Sequence, residues 1–157
     1  MSKIVTQSLE LRVRALDHAD ALLQLYRALD TENGMGDRDS VVKSVFLSDT
    51  HWRKNGFGYW SIYFSSRLIG NIGLIRQPDG SIGLWVEIHP EFRRKGLARE
   101  AVKAVLDFVF QLHKMPSIKL NTTKPDSTII KFVETLGFKL MGTDKDSQFY
   151  VIQNPYS

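Results

Sequence analysis

The sequence predicts an α/β fold, a mixed sheet with helices packed on its faces. The chain has 157 residues, the usual size of one domain, and 43% of them are hydrophobic. Nine Phe, five Tyr and three Trp supply large side chains for a core, which argues against a disordered chain. Strand patterns come in a run and then alternate with helical patterns, in the order β-α-α-β-β-β-α-β-α-β-β. No repeat, low-complexity tract or Ser/Pro-rich linker divides the chain, so residues 1–157 are predicted to form a single domain.

The first half of the chain begins with a strand pattern and continues with two helical ones. Apolar and charged residues alternate from Leu9 to Val13, which is the period of a half-buried strand. Apolar residues at helical spacing then predict two helices, the first capped by Asp17 and the second by Asp39 or Ser40. Aromatic and β-branched runs separated by turn residues predict three strands after them. These elements are a strand over 9–13, helices over 19–29 and 41–52, and strands over 59–64, 68–75 and 81–88.

The second half of the chain alternates helices with strands. Pro90 ends the last of the three strands, and Gly96 opens a helix whose apolar residues form one stripe. Pro116 lies beyond the end of that helix, and Asp126 or Ser127 is expected to cap the final one. The elements predicted here are helices over 96–112 and 127–136 and strands over 118–123, 138–141 and 149–152.

The composition restricts the class of function. The chain has no Cys, which excludes a disulfide scaffold, a thiolate metal site and a catalytic thiol, and which fits a reducing compartment. Its four His show no ligand spacing, so no metal is predicted. No run approaches about 18 apolar residues and the first residues lack a signal-peptide core, which predicts a cytoplasmic protein without a membrane partner.

The charge is moderately basic, with 21 Lys and Arg against 17 Asp and Glu and a formal net charge of +4. This excess admits nucleic acid as a partner, but most cations alternate with acids as on a solvated surface, so nucleic acid is not favoured. The exception is a basic cluster formed by Arg93, Arg94 and Lys95, with Arg99 and Lys103 after it. The position of this cluster is more informative than the net charge.

The basic cluster lies between the end of a predicted strand at Ile88 and the start of a predicted helix at Gly96. The first turn of a helix has unpaired N–H groups and a partial positive charge, so it attracts phosphate. Gly96 lets the backbone come close to such a ligand, and the small Ala98 leaves space for it. Together with the basic side chains, this arrangement predicts a pyrophosphate site. A solvated basic turn is the alternative interpretation of the same spacing.

Arg93-x-x-Gly96-x-Ala98 resembles the Arg/Gln-x-x-Gly-x-Gly/Ala signature of the Gcn5-related N-acetyltransferase (GNAT) superfamily, whose members use acetyl-CoA. Further segments are similar to this family, and to its ribosomal-protein-alanine acetyltransferase branch, in the same order along the chain. These segments are 11–21, 70–74, 98–101 and 126–138. The resemblance implies a mostly antiparallel sheet that splays between the fourth and fifth predicted strands, about four flanking helices, and acetyl-CoA as cosubstrate.

The resemblance also implies roles for the residues around the basic cluster. Pantetheine would lie between the splayed strands, against backbone groups of Val86, Ile88 and Glu87. The pyrophosphate would lie on the amides at the start of the helix, and Asp126 stands where the family has an Asn that contacts pantetheine or caps the last helix. The residues implied for cofactor binding are Val86, Ile88, Arg93, Arg94, Lys95, Gly96, Leu97, Ala98, Arg99 and Asp126.

The family's usual acid and base are absent from their usual positions. Val133 stands where many members have the Tyr that protonates the leaving thiolate, and Asn121 stands where some have a carboxylate. Glu87 is the carboxylate nearest to the implied thioester, so it is the candidate base. The alternatives are a strand carboxylate without a catalytic role, and His89 as the base.

Together these inferences predict an enzyme that transfers the acetyl group of acetyl-CoA directly to a primary amine, on a small molecule or a protein N-terminus. Direct transfer fits the absence of Cys and of a Ser nucleophile motif. The resemblance also allows for a homodimer. Two alternatives stay open: a GNAT-fold module that binds acyl-CoA or a protein without turnover, and a basic nucleic-acid binder that uses residues 93–99.

Overall fold

The computed structural model describes residues 3–29, 36–123 and 127–156. These residues contain eight strands, which form one sheet, and four α-helices. The strands are β1 (Ile4–Val5), β2 (Glu10–Val13), β3 (Tyr59–Phe64), β4 (Arg67–Arg76), β5 (Ile82–Ile88), β6 (Ser117–Thr123), β7 (Lys139–Asp144) and β8 (Ser147–Gln153). The helices are α1 (Ala19–Leu29), α2 (Arg38–Asn55), α3 (Leu97–Leu112) and α4 (Ser127–Thr135), and short 3₁₀ turns cover Leu16–His18 and Pro90–Phe92.

The strands lie in the order β1-β2-β3-β4-β5-β6-β8-β7. Every neighbouring pair is antiparallel except β5 and β6. These two strands are parallel and pair only at Gly83 and Lys119, so they separate toward Ile88. The prediction of a mixed, mostly antiparallel sheet with four flanking helices is confirmed, and the splay lies between the fourth and fifth predicted strands.

One face of the sheet packs against α3, because the apolar stripe of that helix faces it. Ala101, Val102, Val105 and Val109 of α3 are fully buried. They form one core with strand residues that point to the same face. The largest strand residues of this core with zero exposure are Leu11, Trp60, Ile62, Ile69, Ile72, Leu74 and Ile118. Full burial of a large apolar side chain stabilises a fold by roughly 1.5–3 kcal/mol, so this core holds β5 and α3 in fixed relative positions.

The opposite face of the sheet is polar in its middle and is partly covered by α1 and α2. The two helices pack on each other and on Tyr63 and Leu68 of the β3–β4 hairpin. Ser61, Asn71 and Glu87 are paired neighbours across β3, β4 and β5, so their side chains share this face. Ser61 and Asn71 are buried, and a buried polar row of this kind needs partners that an apolar core cannot supply.

The helix starts differ from the predicted caps. Asp17 does not cap α1, because it lies inside a 3₁₀ turn that leads directly into the helix. Helix α2 starts earlier than predicted, because Asp37 is in extended conformation and its side chain accepts the N–H of Ser40 at 2.8 Å. The predicted caps Asp39 and Ser40 therefore lie inside the first turn of α2.

His18 is buried on the polar face, and its protonation opposes folding. Its Nδ1 lies 2.9 Å from Ser61 Oγ and accepts the N–H of Ala15 at 3.3 Å. Burial lowers the pKa of His18 below its ordinary value of 6.5, although the Asp17 carboxylate, 3.9 Å from Nε2, opposes this shift. The unfolded chain therefore binds the proton first, and the free energy of unfolding falls as the pH drops below about 6.5.

We expect His18→Gln, which cannot titrate, to lose this part of the pH dependence. The measurement is chemical denaturation of both proteins between about pH 7.5 and about pH 5. The advantage of the wild type over the variant should shrink below pH 6.5, by up to about 1.4 kcal/mol per pH unit. A difference that stays constant across this range would mean that His18 has the same pKa in both states.

Candidate active site

Two cavities lie beside the C-terminal half of β5. The first, of about 570 Å³, is called the α3 cleft and is formed by the end of β5, the loop after it and the start of α3, with Leu29, Ile129 and Phe132 closing it. The second, of about 480 Å³, is called the α2 pocket and lies on the polar face of the sheet. It is lined by Arg14, Tyr26, Ser44, Leu47, Ser48, His51, Tyr59, Ile75, Trp85 and Glu87.

The start of α3 presents unpaired backbone donors to the α3 cleft. Gly96 precedes the helix with φ +77° and makes no side-chain cap, so the N–H groups of Leu97, Ala98 and Arg99 have no partner within the helix. Arg94, in the loop before the helix, also has a positive φ, +63°. Apart from the adjoining backbone, no atom of the described residues lies within 4 Å of where a Cβ on Gly96 would be, so a ligand can approach the backbone there. The geometry fits a pyrophosphate.

The cationic side chains of the cluster do not all face the α3 cleft. Arg94 and Arg99 line it. Arg93 also lines it, but its Nε donates to the backbone oxygen of Ile88 at 3.1 Å and thereby fixes the end of β5. Lys95 lies outside the lining, with its Nζ 5.6 Å from the centre of the Phe92 ring. The side chains of Arg94 and Arg99 make no hydrogen bond or ion pair with the other described residues, so they are available to an anion in the cleft.

The structure brings together nearly all the residues that the sequence predicts for cofactor binding. Eight of the ten line the α3 cleft: Val86, Ile88, Arg93, Arg94, Gly96, Leu97, Ala98 and Arg99. Lys95 is next to the cleft without lining it, and Asp126 lies outside the described residues. Because β6 separates from β5 beyond Gly83, the β5 backbone beside the cleft has no neighbouring strand on that side. An extended ligand chain can therefore lie along it.

Glu87 lines both cavities. Val86 and Ile88 alternate to the α3 side of the sheet, whereas Glu87 points to the polar face. Its Oε1 accepts a hydrogen bond of 3.3 Å from Nδ2 of Asn71, which is 1% exposed and is the directly paired residue on β4. The buried amide therefore holds the carboxylate at the junction of the cavities.

The α2 pocket contains polar residues that no motif or spacing in the sequence places together. Arg14 is buried, and its Nη2 donates to the hydroxyl of Tyr26 at 2.8 Å. Burial raises the pKa of Tyr26, and it raises the pKa of Tyr59 to about 12, although Arg14 lowers both. The two phenols are therefore neutral hydrogen-bond donors at neutral pH. These residues come from separate elements, so no local spacing could have indicated the pocket.

Two tryptophans of the sheet have different environments. Trp60 has zero exposure and packs in the core. Trp85 is 42% exposed and lines both the α2 pocket and an adjoining groove of about 260 Å³. Asn121 lies in the same groove, whereas Val133, at the family's Tyr position, is buried in the core. Neither of these positions supplies an acid or a base.

His89 lines neither of the two cavities. Its Nδ1 accepts the N–H of Glu91 at 3.1 Å, and it lines a separate surface groove with Arg27 and Arg67. Among the described residues, no group of three or more His, Cys, Asp or Glu could hold a metal ion. In the same part of the chain, no helix is both long and apolar enough to cross a bilayer.

Comparison with known proteins gives a family match and several structural likenesses. A family model described as an acetyltransferase (GNAT) domain matches residues 8–139. The fold is similar to RimL, a ribosomal L7/L12 alpha-N-protein acetyltransferase in complex with coenzyme A, at 15% identity and a TM-score of 0.88, covering 99% of this chain and 100% of that one. It is also similar to the ribosomal-protein-S5-alanine acetyltransferase from Vibrio fischeri, at 14% identity and a TM-score of 0.84, covering 99% and 98% of the two chains.

A third likeness is the microcin C7 self immunity acetyltransferase MccE in complex with acetyl-CoA and AMP. The identity is 12% and the TM-score is 0.81, and the match covers 94% of this chain and 93% of that one. At identities this low, the structural likenesses show a shared fold.

Proposed function

The chain belongs to the acetyltransferase (GNAT) family, and on this premise we propose that it transfers the acetyl group of acetyl-CoA directly to a primary amine. The observation that carries this proposal is that the α3 cleft and the α2 pocket share Glu87. A thioester held in the cleft and an amine held in the pocket then meet at one carboxylate. Holding both reactants in this way converts an encounter in solution into a step within one complex.

The α3 cleft is the proposed acetyl-CoA site. The pyrophosphate accepts hydrogen bonds from the N–H groups of residues 97–99, with Arg94 and Arg99 neutralising its charge. Pantetheine lies along the β5 backbone in the gap left by β6, against Val86 and Ile88. RimL and MccE, which share this fold, are described in complex with coenzyme A and with acetyl-CoA. Acetyl-CoA supplies an activated acetyl thioester at the Glu87 end of the cleft.

Glu87 is proposed as the proton acceptor. An α-amine has a pKa near 8 and a lysine-type amine near 10.4, so both are largely protonated at neutral pH and must lose a proton before attack. Glu87 is the one carboxylate among the described residues that line the two cavities. It takes one proton from the ammonium group directly or through a water, and the neutral nitrogen bonds to the acetyl carbon. The carbon–sulfur bond then breaks, and the second proton leaves the nitrogen to solvent. The thiolate, of thiol pKa near 8.5 by analogy with Cys, is then protonated by solvent.

The β5 backbone is proposed to stabilise the negative charge that develops on the carbonyl oxygen during attack. Beyond Gly83, the N–H groups of β5 that point toward β6 have no partner on that strand, because β6 diverges from β5 there. Donors that are fixed in place before the reaction need no reorganisation in the transition state. The chain has no Cys, so it cannot form a thioester intermediate with the acetyl group. The proposed transfer therefore goes from acetyl-CoA to the amine in one step.

The acceptor is proposed to be an amine that reaches the α2 pocket from the groove beside Trp85. RimL and the Vibrio fischeri protein are named for acetylation of ribosomal proteins, which favours a protein N-terminus among the acceptors. The α2 pocket and the groove of about 260 Å³ share Trp85. With the N-terminal residue of a protein acceptor in the pocket, the acceptor's next residues can lie along the groove.

A thiol-release screen tests the proposal. Purified protein and acetyl-CoA are mixed with N-terminal peptides, amino acids, polyamines and aminoglycosides, and products are identified by mass spectrometry. We expect thiol release that depends on the amine, with an N-acetylated product. Acetyl-CoA binding without thiol release for any amine would indicate a binding module instead. Steeply salt-dependent binding to random duplex, not relieved by CoA, would indicate a nucleic-acid binder.

Acetyl-CoA should stabilise the protein, because a ligand that binds only the folded state shifts the folding equilibrium. At a concentration 100-fold above its Kd, the free energy of unfolding should rise by about 2.7 kcal/mol. Denaturant titrations with and without acetyl-CoA measure this change. No shift with acetyl-CoA, together with a shift caused by a different nucleotide, would assign the α3 cleft to that nucleotide.

A further inference from the structure

Arg14 is a buried cation in the α2 pocket without a counter-charge in contact with it. It is 4% exposed, and no carboxylate of the described residues lies within 4.0 Å of its nitrogens. Its Nη2 donates to the Tyr26 hydroxyl at 2.8 Å and its Nη1 to Ser44 Oγ at 3.3 Å, while Nε is buried without a partner. A buried charge is costly unless it is paired, so a guanidinium supported only by hydroxyl groups needs a further explanation.

The position of Arg14 is fixed from three sides. Its Cζ lies 4.2 Å from the centre of the Tyr59 ring, and this ring lies over Gly73, where a Cβ would come within 2.4 Å of it. The hydroxyls of Tyr26 and Ser44 hold the two outer nitrogens. A guanidinium has five N–H donors, and two of them are used here. The charged group is therefore held rigidly with donors unused.

Arg14 and Glu87 line the same pocket with opposite charges. Both act on the same two phenols: Arg14 lowers the pKa values of Tyr26 and Tyr59, and Glu87 raises them. The two charged groups are thus neighbours across the pocket without being an ion pair. A molecule that places an amine at Glu87 and a hydrogen-bond acceptor at Arg14 would satisfy both.

We propose that Arg14 is a specificity-determining residue that binds a carbonyl or carboxylate oxygen next to the acceptor amine. This inference rests on the proposed acetyl transfer and adds a selection between acceptors. Amines whose amine-bearing carbon is attached to a carbonyl or carboxylate group are preferred over plain alkylamines. The oxygen chemistry is shared by a free amino acid, an amino acid amide and a polypeptide N-terminus. A charge-assisted bond from Arg14 also fixes the amine relative to Glu87.

Matched acceptors test this role. Isopropylamine and alaninamide differ in that a methyl group replaces the carboxamide, and alanine and an alanine-starting peptide add the other two sources of the oxygen. Arg14→Gln should lower kcat/KM for the three oxygen-bearing acceptors by about 10- to 100-fold, the size of one lost hydrogen bond to a charged group. For isopropylamine the change should stay within about 3-fold, because Arg14 makes no contact with that acceptor. Comparing variant with wild type for each acceptor cancels the different amine pKa values.

Two further measurements separate this role from a structural one. The Kd of acetyl-CoA should be unchanged in Arg14→Gln, since Arg14 does not line the α3 cleft. Tyr26→Phe, which removes the hydroxyl that holds Nη2, should show the same acceptor-dependent loss at about 3- to 10-fold and gives the answer even when Arg14→Gln fails to fold. An equal loss for all four acceptors in either variant would overturn the role of Arg14 and leave acetyl transfer intact. No transfer by the wild type to any of the four, with transfer to another amine of the thiol-release screen, would overturn the role of Arg14 alone. No transfer to any amine of either experiment would overturn both.

Discussion

We expect Glu87→Gln to lower kcat/KM for amine acetylation by about 10²–10⁴, while the Kd of acetyl-CoA stays unchanged. The variant keeps the shape of the side chain and an oxygen that accepts the bond from Asn71, so it removes the charge and the proton-accepting capacity alone. The loss should shrink as the pH approaches the pKa of the acceptor amine, because more of the amine is then already neutral. Steady-state kinetics across the pH range, together with acetyl-CoA titration, measures both effects.

Glu91→Gln is the matched control for this experiment. Glu91 is exposed, pairs with Arg67 at 3.7 Å and lines neither cavity, so its replacement should leave kcat/KM within about 2-fold. A rise in KM with an unchanged kcat for Glu87→Gln would assign Glu87 to acceptor orientation. Wild-type kinetics at every pH would remove Glu87 from the mechanism and leave solvent as the route for the proton.

Gly96→Val should weaken acetyl-CoA binding by at least about 100-fold. A valine side chain would fill the open space over the start of α3, through which a phosphate reaches the N–H groups of residues 97–99. Each hydrogen bond to a charged group contributes about 1.5–3 kcal/mol, so losing one or two of them accounts for an effect of this size. Calorimetric titration of the variant with acetyl-CoA measures it.

Gly80→Val controls for backbone strain. Gly80 has φ +90°, close to the +77° of Gly96, and the space where its Cβ would be is equally open among the described residues. It differs in its place, because it lies in the turn between β4 and β5. Valine at either position costs about 1–3 kcal/mol of stability from the left-handed conformation. We therefore expect similar losses of stability in the two variants and a loss of acetyl-CoA affinity in Gly96→Val alone. Unchanged affinity in Gly96→Val would contradict the cofactor site.

The sequence predicts the parts of the fold that depend on periodic burial. The stripe of α3 and the strands that it covers follow from apolar spacing, because a packed face repeats every 3.6 or 2 residues. Strand β1 was missed, since two residues are too few to show a period. The caps of α1 and α2 were wrong, because a cap depends on the backbone conformation of one residue, and several nearby polar residues fit the same pattern.

The α3 cleft is predictable from the sequence and the α2 pocket is not. Residues 86–99 are one continuous segment, so the strand, the loop and the helix start that face a phosphate are visible together. The pocket takes Arg14 from the end of β2, Tyr26 from α1, Tyr59 from β3 and Glu87 from β5. The pairing of β2, β3, β4 and β5 and the packing of α1 on the sheet bring them to one place, and no local pattern encodes this arrangement.

Side-chain direction limits the prediction even within the continuous segment. The basic cluster was expected to surround one anion, yet the Nε of Arg93 is bonded to the carbonyl of Ile88 and Lys95 lies near the ring of Phe92. The sequence shows that cations are concentrated there, but the side chain of each one takes its direction from the loop conformation and from its own contacts, which spacing does not reveal.

A crystal structure of the complex with acetyl-CoA is the most direct test of a cofactor cleft and an acceptor pocket that meet at Glu87. The pyrophosphate should lie about 3 Å from the N–H groups of residues 97–99, and the thioester should lie beside Glu87 with the α2 pocket open behind it. Acetyl-CoA bound outside the α3 cleft, or a thioester separated from Glu87 by more than one water, would contradict this account.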